Sequence, residues 1–246
     1  KSSCVKRILS LLEKTAEKDE ETYAKFWEAF GQVLKEGVGE DTTNKHRIAK
    51  LMRFSSTHDD SEKQTVTLTD YVSRMKDDQK AIYYVIADSF SSAKHSPLLE
   101  VFRKKGVEVL LLSERVDEWV MSHLTEFDDK KFQSISQGEL DLGDLEDEDT
   151  KKEQKKNEKA YKDIVKTIKT ALGDKVEDVR LTHRLTDSPA CVVYSDQGMS
   201  GHMQRMLQAA GQAFPESKPI LELNPDHALM HTVKAENDEA NAFGEE

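Results

Sequence analysis

Two histidines near the C-terminal end have a spacing that could hold a metal ion. His227 and His231 lie in the string HALMH, so a helix would place both imidazoles on one face. This is the ligand spacing of HExxH zinc sites, in which the glutamate acts as the general base. Ala228 stands in place of that glutamate, and the sequence offers no obvious third ligand. The pattern therefore favours a structural role for the pair over a metal site.

Hydrolytic and nucleotide chemistry have little support in the residue pattern. Serine and histidine occur together at Ser122–His123 and Ser200–His202, but no GxSxG nucleophile elbow accompanies either pair. The segment GVGEDT (37–42) resembles a phosphate-binding loop only weakly, and neither GxxxxGK(S/T) nor GxGxxG is present. We therefore predict a helix-to-loop break at Gly37 and Gly39, no catalytic residue, and no cofactor or metal bound by this chain.

An apolar stripe in GMSGHMQRMLQAAG is a stronger candidate for function. Met199, Met203, Met206 and Leu207 recur at helical spacing, in a predicted helix over 199–210 that Gly198 opens and Gly201 interrupts. Such a stripe usually packs on a neighbouring sheet. Methionine is also flexible and polarizable, and it is favoured on surfaces that adapt to many partners.

A second candidate is the pair Glu118 and Trp119. Trp119 lies on a predicted amphipathic helix with Val116 and Val120, so a role as a core anchor is one interpretation. Tryptophan is also a frequent hot-spot residue where it is exposed, and the sequence leaves both interpretations open. Trp27, beside two phenylalanines, is predicted to be simple core.

Composition excludes several partners. The formal net charge of −11 and the pI near 5.3 argue against binding nucleic acid or anionic lipid. The strongly apolar run from Val107 to Leu112 is far below the roughly 20 residues of a membrane span, and so is the predicted strand at 81–87. Cys4 and Cys191 lie too far apart to suggest a disulfide framework, so we expect reduced thiols and a cytoplasmic location. Because Lys1 is not an initiator methionine, we expect a piece of a longer protein.

The elements that position these residues change in character along the chain. Residues 1–52 read as helices, and 54–124 then alternate between buried strands, at 81–87 and 107–112, and helices. This alternation predicts right-handed crossovers and a mainly parallel sheet. The stretch 139–159 is rich in charge and poor in large apolar residues, so we expect a solvated linker that runs into a helix. A second α+β unit follows, with strands at 176–181, 190–194 and 220–223 and a helix at 226–234.

Several strings follow one another in the order found in one known family. They are FWEAFGQVLKEG (26–37), DYVSRM and IYYVIADS (70–89), RKKGVEVLLL (103–112), DEWVMSHLTEFDDKKFQSIS (117–136), VRLTHRLTDSPA (179–190), MLQAAGQ (206–212) and LELNPDH (221–227). The chain thereby resembles the ninety-kilodalton heat-shock chaperones, and among them the bacterial HtpG type. Because the likeness spans nearly the whole chain, it is far more specific than any single motif.

The resemblance implies a fold class of α/β and α+β. It places the helical connector of a middle domain at 1–52, that domain's small αβα sandwich subdomain at 53–140, a charged linker at 141–154, and a C-terminal dimerisation domain at 155–246 that lacks its last helices. It further implies that the parent protein is a homodimeric ATPase using ATP and Mg²⁺, with its nucleotide site in a missing N-terminal domain. We expect the fragment itself to be monomeric or to associate weakly.

The resemblance also implies a function in the stress response. Partly unfolded client proteins would bind exposed apolar residues in the cleft between protomers, where the Met199–Leu207 stripe, Glu118 and Trp119 are the expected contacts. Co-chaperones are further possible partners. Two alternatives stay open: a passive scaffold or dimerisation module, and an α/β enzyme domain with an unrecognised site assembled from distant positions. A scaffold would bury the methionine stripe, whereas a client-binding surface would leave it at least partly exposed.

Overall fold

A computed structural model describes residues 2–140, 148–215 and 217–244. The chain divides into two compact units. The first comprises Lys1–Lys94 and Glu108–Gln133, and the second comprises His95–Val107 and Ser134–Glu246, each over its described residues. Both units contain helices and a small mixed sheet, so the predicted α/β and α+β fold class is confirmed.

The first unit begins with three helices, as the apolar spacing predicts. These are α1 (Ser2–Lys18), α2 (Glu20–Glu40) and α3 (Lys45–Leu51). The side chain of Asp19 accepts a hydrogen bond from the backbone N–H of Thr22 and so caps the start of α2. The predicted helix-to-loop break within 37–42 lies after Glu40, so α2 continues through Gly37 and Gly39 and ends one residue beyond them.

A five-stranded sheet follows in the first unit. Its strands are β1 (Ser55–Ser56), β2 (Ala81–Ile86), β3 (Val109–Leu112), β4 (Glu126–Phe127) and β5 (Lys130–Ser134). Their order is β1-β3-β2-β5-β4; β2 and β3 are parallel, whereas β1 with β3 and β4 with β5 are antiparallel. The predicted mainly parallel sheet is therefore wrong, since three short strands that lack a clear apolar pattern complete a mixed sheet.

Three more helices belong to this unit: α4 (Leu68–Arg74), α5 (Phe90–Lys94) and α7 (Arg115–His123). Thr67 caps the start of α4, since its Oγ1 accepts a hydrogen bond from the N–H of Asp70 at 2.9 Å. One buried cluster joins the helices to the sheet. It contains Leu9, Trp27, Ile48, Leu51, Phe54, Tyr71, Ile82, Leu110, Val120 and Phe127, among others.

The described part of the second unit contains seven α-helices and β-strands from the C-terminal half of the chain and one short helix from its middle. The helices are α6 (Glu100–Lys105), α8 (Glu148–Ala160), α9 (Lys162–Leu172), α10 (Gly201–Ala209) and α11 (Ala228–Gly244), and the strands are β6 (Asp178–Leu181), β7 (Ala190–Val193) and β8 (Ile220–Leu223). In this sheet β8 is central, parallel to β6 and antiparallel to β7. Its described core includes Tyr161, Ile164, Val179, Leu223 and Met230.

The charged stretch runs into a helix, as expected from the sequence. The helix α8 begins at Glu148, within the stretch 141–154 that was predicted as a linker. Residues 141–147 lie outside the described part of the chain. The last helix differs from the prediction in extent, because α11 runs to Gly244 rather than ending near Lys234.

The carboxylate of Glu100 fixes the loop that follows β6 in the second unit. It accepts hydrogen bonds from the backbone N–H groups of Thr186 (2.6 Å), Asp187 (2.8 Å) and Ser188 (3.2 Å), and from the hydroxyl of Ser188. Burial raises the pKa of Glu100, but these hydrogen bonds lower it more, and the net shift is downward. The loop and the N-terminal end of α6 are thereby held together within this unit.

Candidate functional site

Trp119 lies on α7 with a large part of its indole open to solvent. Its side chain is 42% exposed, and the neighbouring Glu118 is partly exposed. The other side of α7 is buried, with Val120 in the core. The position of Trp119 lies between the two interpretations that the sequence left open. The residue is not buried as a core anchor would be, and it does not project freely into solvent.

The covered side of the indole rests on the C-terminal part of α2. Trp119 Nε1 donates a hydrogen bond to the backbone oxygen of Glu36 at 3.2 Å, and the ring contacts that of His123, with centroids 3.8 Å apart. At Gly39 a Cβ atom would lie only 2.6 Å from Trp119 Cζ2. We call Glu36, Gly39 and His123 the Trp119 seat. A glycine inside a helix is unfavourable by about 1 kcal/mol relative to alanine, and here its lack of a side chain makes room for the indole.

A buried ionic cluster joins the same two helices one turn away from the seat. Lys35 of α2 is 1% exposed, and its Nζ lies 2.7 Å from both Glu114 Oε2 and Asp117 Oδ1. The two acidic residues also form a capping box at the start of α7. Burial raises the pKa of the Glu114 carboxyl, but the charge of Lys35 and hydrogen bonds to the carboxylate lower it more, so the pKa is lowered overall.

The methionine-rich segment of the second unit forms a shorter helix than predicted. The side chain of Ser200 accepts from the N–H of Met203 and caps α10, which begins at Gly201. Met199 thus precedes the helix, and its N–H donates to Ser217 Oγ at 3.0 Å. Gly201 is the first helical residue rather than an interruption, and it packs on the ring of Tyr194, where a Cβ would lie 2.6 Å away.

The methionine stripe is half-buried. Met203, Met206 and Leu207 lie on one face of α10, because they are separated by three and four positions, and all three have intermediate exposure. Met199 has intermediate exposure too. Solvent thus reaches every member of the predicted stripe. The stripe and Trp119 belong to different units, and each is a surface of its own unit.

The residues considered for other chemistry make local contacts. His227 precedes α11, where its Nδ1 accepts from the N–H of Leu229, and His231 is exposed on that helix. Ser122 Oγ and His123 Nδ1 lie 2.9 Å apart, and both atoms contact the carbonyl oxygen of Trp119 at the end of α7. Within residues 2–140, 148–215 and 217–244, no group of three His, Cys, Asp or Glu side chains could hold a metal ion.

A cavity of about 500 Å³ in the second unit escaped sequence reasoning. Its lining includes Arg180, Arg184 and Glu222, and the buried Glu222 pairs with Arg184 at 2.6 Å and with Arg180 at 2.7 Å. Arg184 also donates to the backbone oxygens of Ile135 and Gly138. Glu222 therefore pairs with both guanidinium groups, and Arg184 also holds backbone.

Comparison with known proteins settles the family. The Hsp90 protein family model matches residues 1–243. This chain belongs to the Hsp90 family. The chain is 60% identical to the Chaperone protein HtpG of Coxiella burnetii (strain RSA 331 / Henzerling II) over 238 residues, which are 97% of this chain and 37% of the relative. It is 58% identical to that of Dechloromonas aromatica over 236 residues (96% and 37%) and 55% identical to that of Nitrosococcus oceani over 245 residues (100% and 38%).

The family resemblance proposed from the sequence is therefore confirmed, and the chain spans a little over a third of the length of these relatives. In the part of the Hsp90 chain that the structure describes, no helix is both long enough and apolar enough to cross a membrane. The six residues expected to contact clients and the domain boundaries stay predictions. Sequence reasoning found Trp119 but missed Lys35 and Gly39, which contact α7 from a distant part of the chain.

Proposed function

We propose that this chain is the part of an Hsp90-type chaperone that binds partly unfolded client proteins through half-exposed apolar side chains. The observation that carries the proposal is the exposure of Trp119, 42%, in a chain with a net charge of −11. Its indole is presented on a fixed helix rather than sealed in the core. The intermediate exposure of Met203 and Met206 adds a second adaptable apolar surface.

Binding through such surfaces is weak and tolerant of sequence. Burying one large apolar side chain contributes at most about 1.5–3 kcal/mol, before the cost of ordering the client. A few contacts of this size give affinities that can be reversed by a change in the shape of the chaperone. This suits a protein that must hold many different polypeptides and release them.

ATP chemistry belongs, in this proposal, to another part of the whole protein. The weak glycine-rich segment at 37–42 does not fit a phosphate loop, because α2 is helical through Glu40 and its N–H groups serve the helix. ATP and Mg²⁺ would act in the remaining two thirds of the polypeptide. We likewise propose a homodimeric whole protein in the cytoplasm, with co-chaperones as further partners.

A passive scaffold is the competing function for the second unit. It would bury the methionine stripe between copies or against the sheet, whereas solvent reaches the stripe in this unit. Suppression of aggregation of a chemically unfolded model client tests the difference. We expect the double substitution Met203→Ser and Met206→Ser to weaken client binding about tenfold, because two adaptable apolar contacts are lost.

The matched control is Gln208→Ser with Ala209→Ser, which places two serines at exposed positions of the same helix. It should bind clients like the parent chain. A large loss of thermal stability with unchanged client binding in the methionine variant would show that the stripe is core, and equal weakening by both variants would show that α10 only needs its helical form.

A further inference from the structure

The orientation of Trp119 is set by a helix that lies far away in the sequence. Its indole donates to a backbone oxygen of α2, that of Glu36, which precedes it by 83 positions. Trp119 is 42% exposed, so part of its surface is covered by the contacts with α2 and His123 and the rest faces solvent. A client that packs on the exposed part of the indole therefore contacts a ring whose orientation is already fixed by α2 and His123.

Gly39 gives the indole its space. The three atoms nearest to a hypothetical Cβ at this position all belong to Trp119 and His123, at 2.6, 2.8 and 2.9 Å. Real Cβ atoms do not approach other atoms so closely, so any larger residue would push the two rings outward. The glycine also lowers the intrinsic helix propensity of α2. Close packing under the indole accounts for a glycine within a helix.

Lys35 fixes where α7 begins. Its ammonium group contacts Glu114 and Asp117 at 2.7 Å each, and it lies over the rings of Trp27 and Phe54. Buried ion pairs are weak sources of stability, but a charge left unpaired in the core is costly, so they favour the arrangement of the elements in which both contacts form. Asp117 lies two positions before Trp119, so the same contact that anchors the first turn of α7 sets the direction in which the indole projects.

We propose that Lys35 and Gly39 are positioning residues for client binding by Trp119. This inference rests on the proposed function, because it assumes that Trp119 contacts the client. The two residues act through the indole: Lys35 sets the rotation and height of α7, and Gly39 lets the ring approach α2 closely. A ring held in advance loses little freedom when a client binds, so more of the contact energy is retained as affinity.

The decisive variant is Gly39→Ala, with Gly37→Ala as its control. At Gly37 a Cβ would meet the flexible end of Ile48 at 3.1 Å rather than the indole. We expect Gly39→Ala to raise acrylamide quenching of tryptophan fluorescence by up to about twofold, because the covered face of Trp119 becomes accessible. Trp27 contributes little to this readout, since it is 7% exposed.

Client binding measured on the same variants completes the test. Gly39→Ala should bind a chemically unfolded model client about five- to tenfold more weakly, as expected when a hot-spot contact is misplaced, whereas Gly37→Ala should bind like the parent chain. Unchanged quenching in Gly39→Ala would overturn the inference, and so would increased quenching with unchanged affinity. Melting temperatures of both alanine variants should stay close to that of the parent, because alanine favours helix.

Lys35 is tested by a charge-balanced pair. Lys35→Met with Asp117→Asn removes the buried cation together with its most buried anion, and the remaining partner, Glu114, is 21% exposed at its side chain and keeps its hydrogen bond from Gln32. We expect this double variant to raise the quenching of Trp119 and to weaken client binding. If both values stay those of the parent chain, Lys35 has no part in the proposal.

Trp119→Ala separates the proposed function from the positioning role. If this variant binds clients like the parent chain, the proposed function itself fails at this surface. If it weakens binding while Gly39→Ala does not, only the positioning role fails.

Discussion

At Cys191, burial and a neighbouring carboxylate act in the same direction on one thiol. Burial raises its pKa, and Glu222, whose Oε2 lies 3.7 Å from Sγ, raises it further, to about 12. Only the thiolate reacts readily with disulfide reagents. Cys4, by contrast, is exposed on α1.

We therefore predict that one thiol of the native chain reacts with an aromatic disulfide reagent at pH 8, while Cys191 stays unlabelled until the chain is unfolded in urea. A rise in pKa from 9.0 to about 12 lowers the thiolate fraction about a thousandfold. Cys4→Ser is the control and should abolish the fast phase. Two equally fast thiols in the native chain would contradict the burial described here.

The two tryptophans differ in how well their burial can be predicted from the sequence. Trp27 was predicted to be core, and it is buried with its Nε1 bonded to Gln64 Oε1. The exposed fraction of Trp119 could not be predicted in the same way, because the covered part of its ring packs against Gly39. The sequence around Gly39 suggested only the end of a helix. A glycine that serves close packing and one that ends a helix look alike without the partner that packs on it.

The helix α4 offers a test at the level of one element. Thr67 Oγ1 accepts from the N–H of Asp70 and also donates to its Oδ2 at 2.7 Å. We predict that Thr67→Ala lowers the free energy of unfolding by about 1 kcal/mol, the usual contribution of an N-cap side chain. Urea denaturation measures this. Thr69→Ala, at an exposed position inside the same helix, should cause no comparable loss, and equal losses would point to a general effect of removing threonine.

Elements differ in how far their sequence alone specifies them. Long amphipathic helices such as α2 and α7 and the buried strands β2 and β3 follow from apolar spacing, because each carries its own pattern. The strand β5, KKFQS, has no such pattern and becomes a strand only by pairing with its neighbours. The start of α10 likewise depends on Ser200, whose capping bond excludes Met199 from the helix. Sequence patterns therefore miss β5, which forms by pairing with other strands, and the start of α10, which is set by a capping side chain.

Acid should weaken both units of the molecule over the same pH range. Glu114 in the first unit and Glu100 in the second both have a pKa below the ordinary value of 4.5. A carboxyl with a lowered folded-state pKa contributes stability that is complete above 4.5 and is lost as the pH falls through its folded-state value. We predict a urea midpoint that changes little between pH 7 and about pH 5 and declines below about pH 4.5. A midpoint that rises below pH 4.5 would contradict this assignment.

The variant Glu100→Gln isolates the contribution of the second unit to this behaviour. At pH 7 it should lose about 1 kcal/mol of stability, a modest value because the carboxylate remains partly exposed to water. Its stability should then depend less on pH below 4.5, since the group no longer titrates. A parallel decline in variant and parent would mean that Glu100 does not contribute to the acid sensitivity.

The presentation of Trp119 on two helices has a consequence for engineering. A peptide copied from α7 alone would contain the tryptophan, but it would lack Gly39 beneath the ring and Lys35 beneath the first turn. Any attempt to graft this surface onto another scaffold must therefore transfer α2 and α7 as a pair, with their spacing preserved. The smallest transferable part is a helix pair held together by an internal charge cluster.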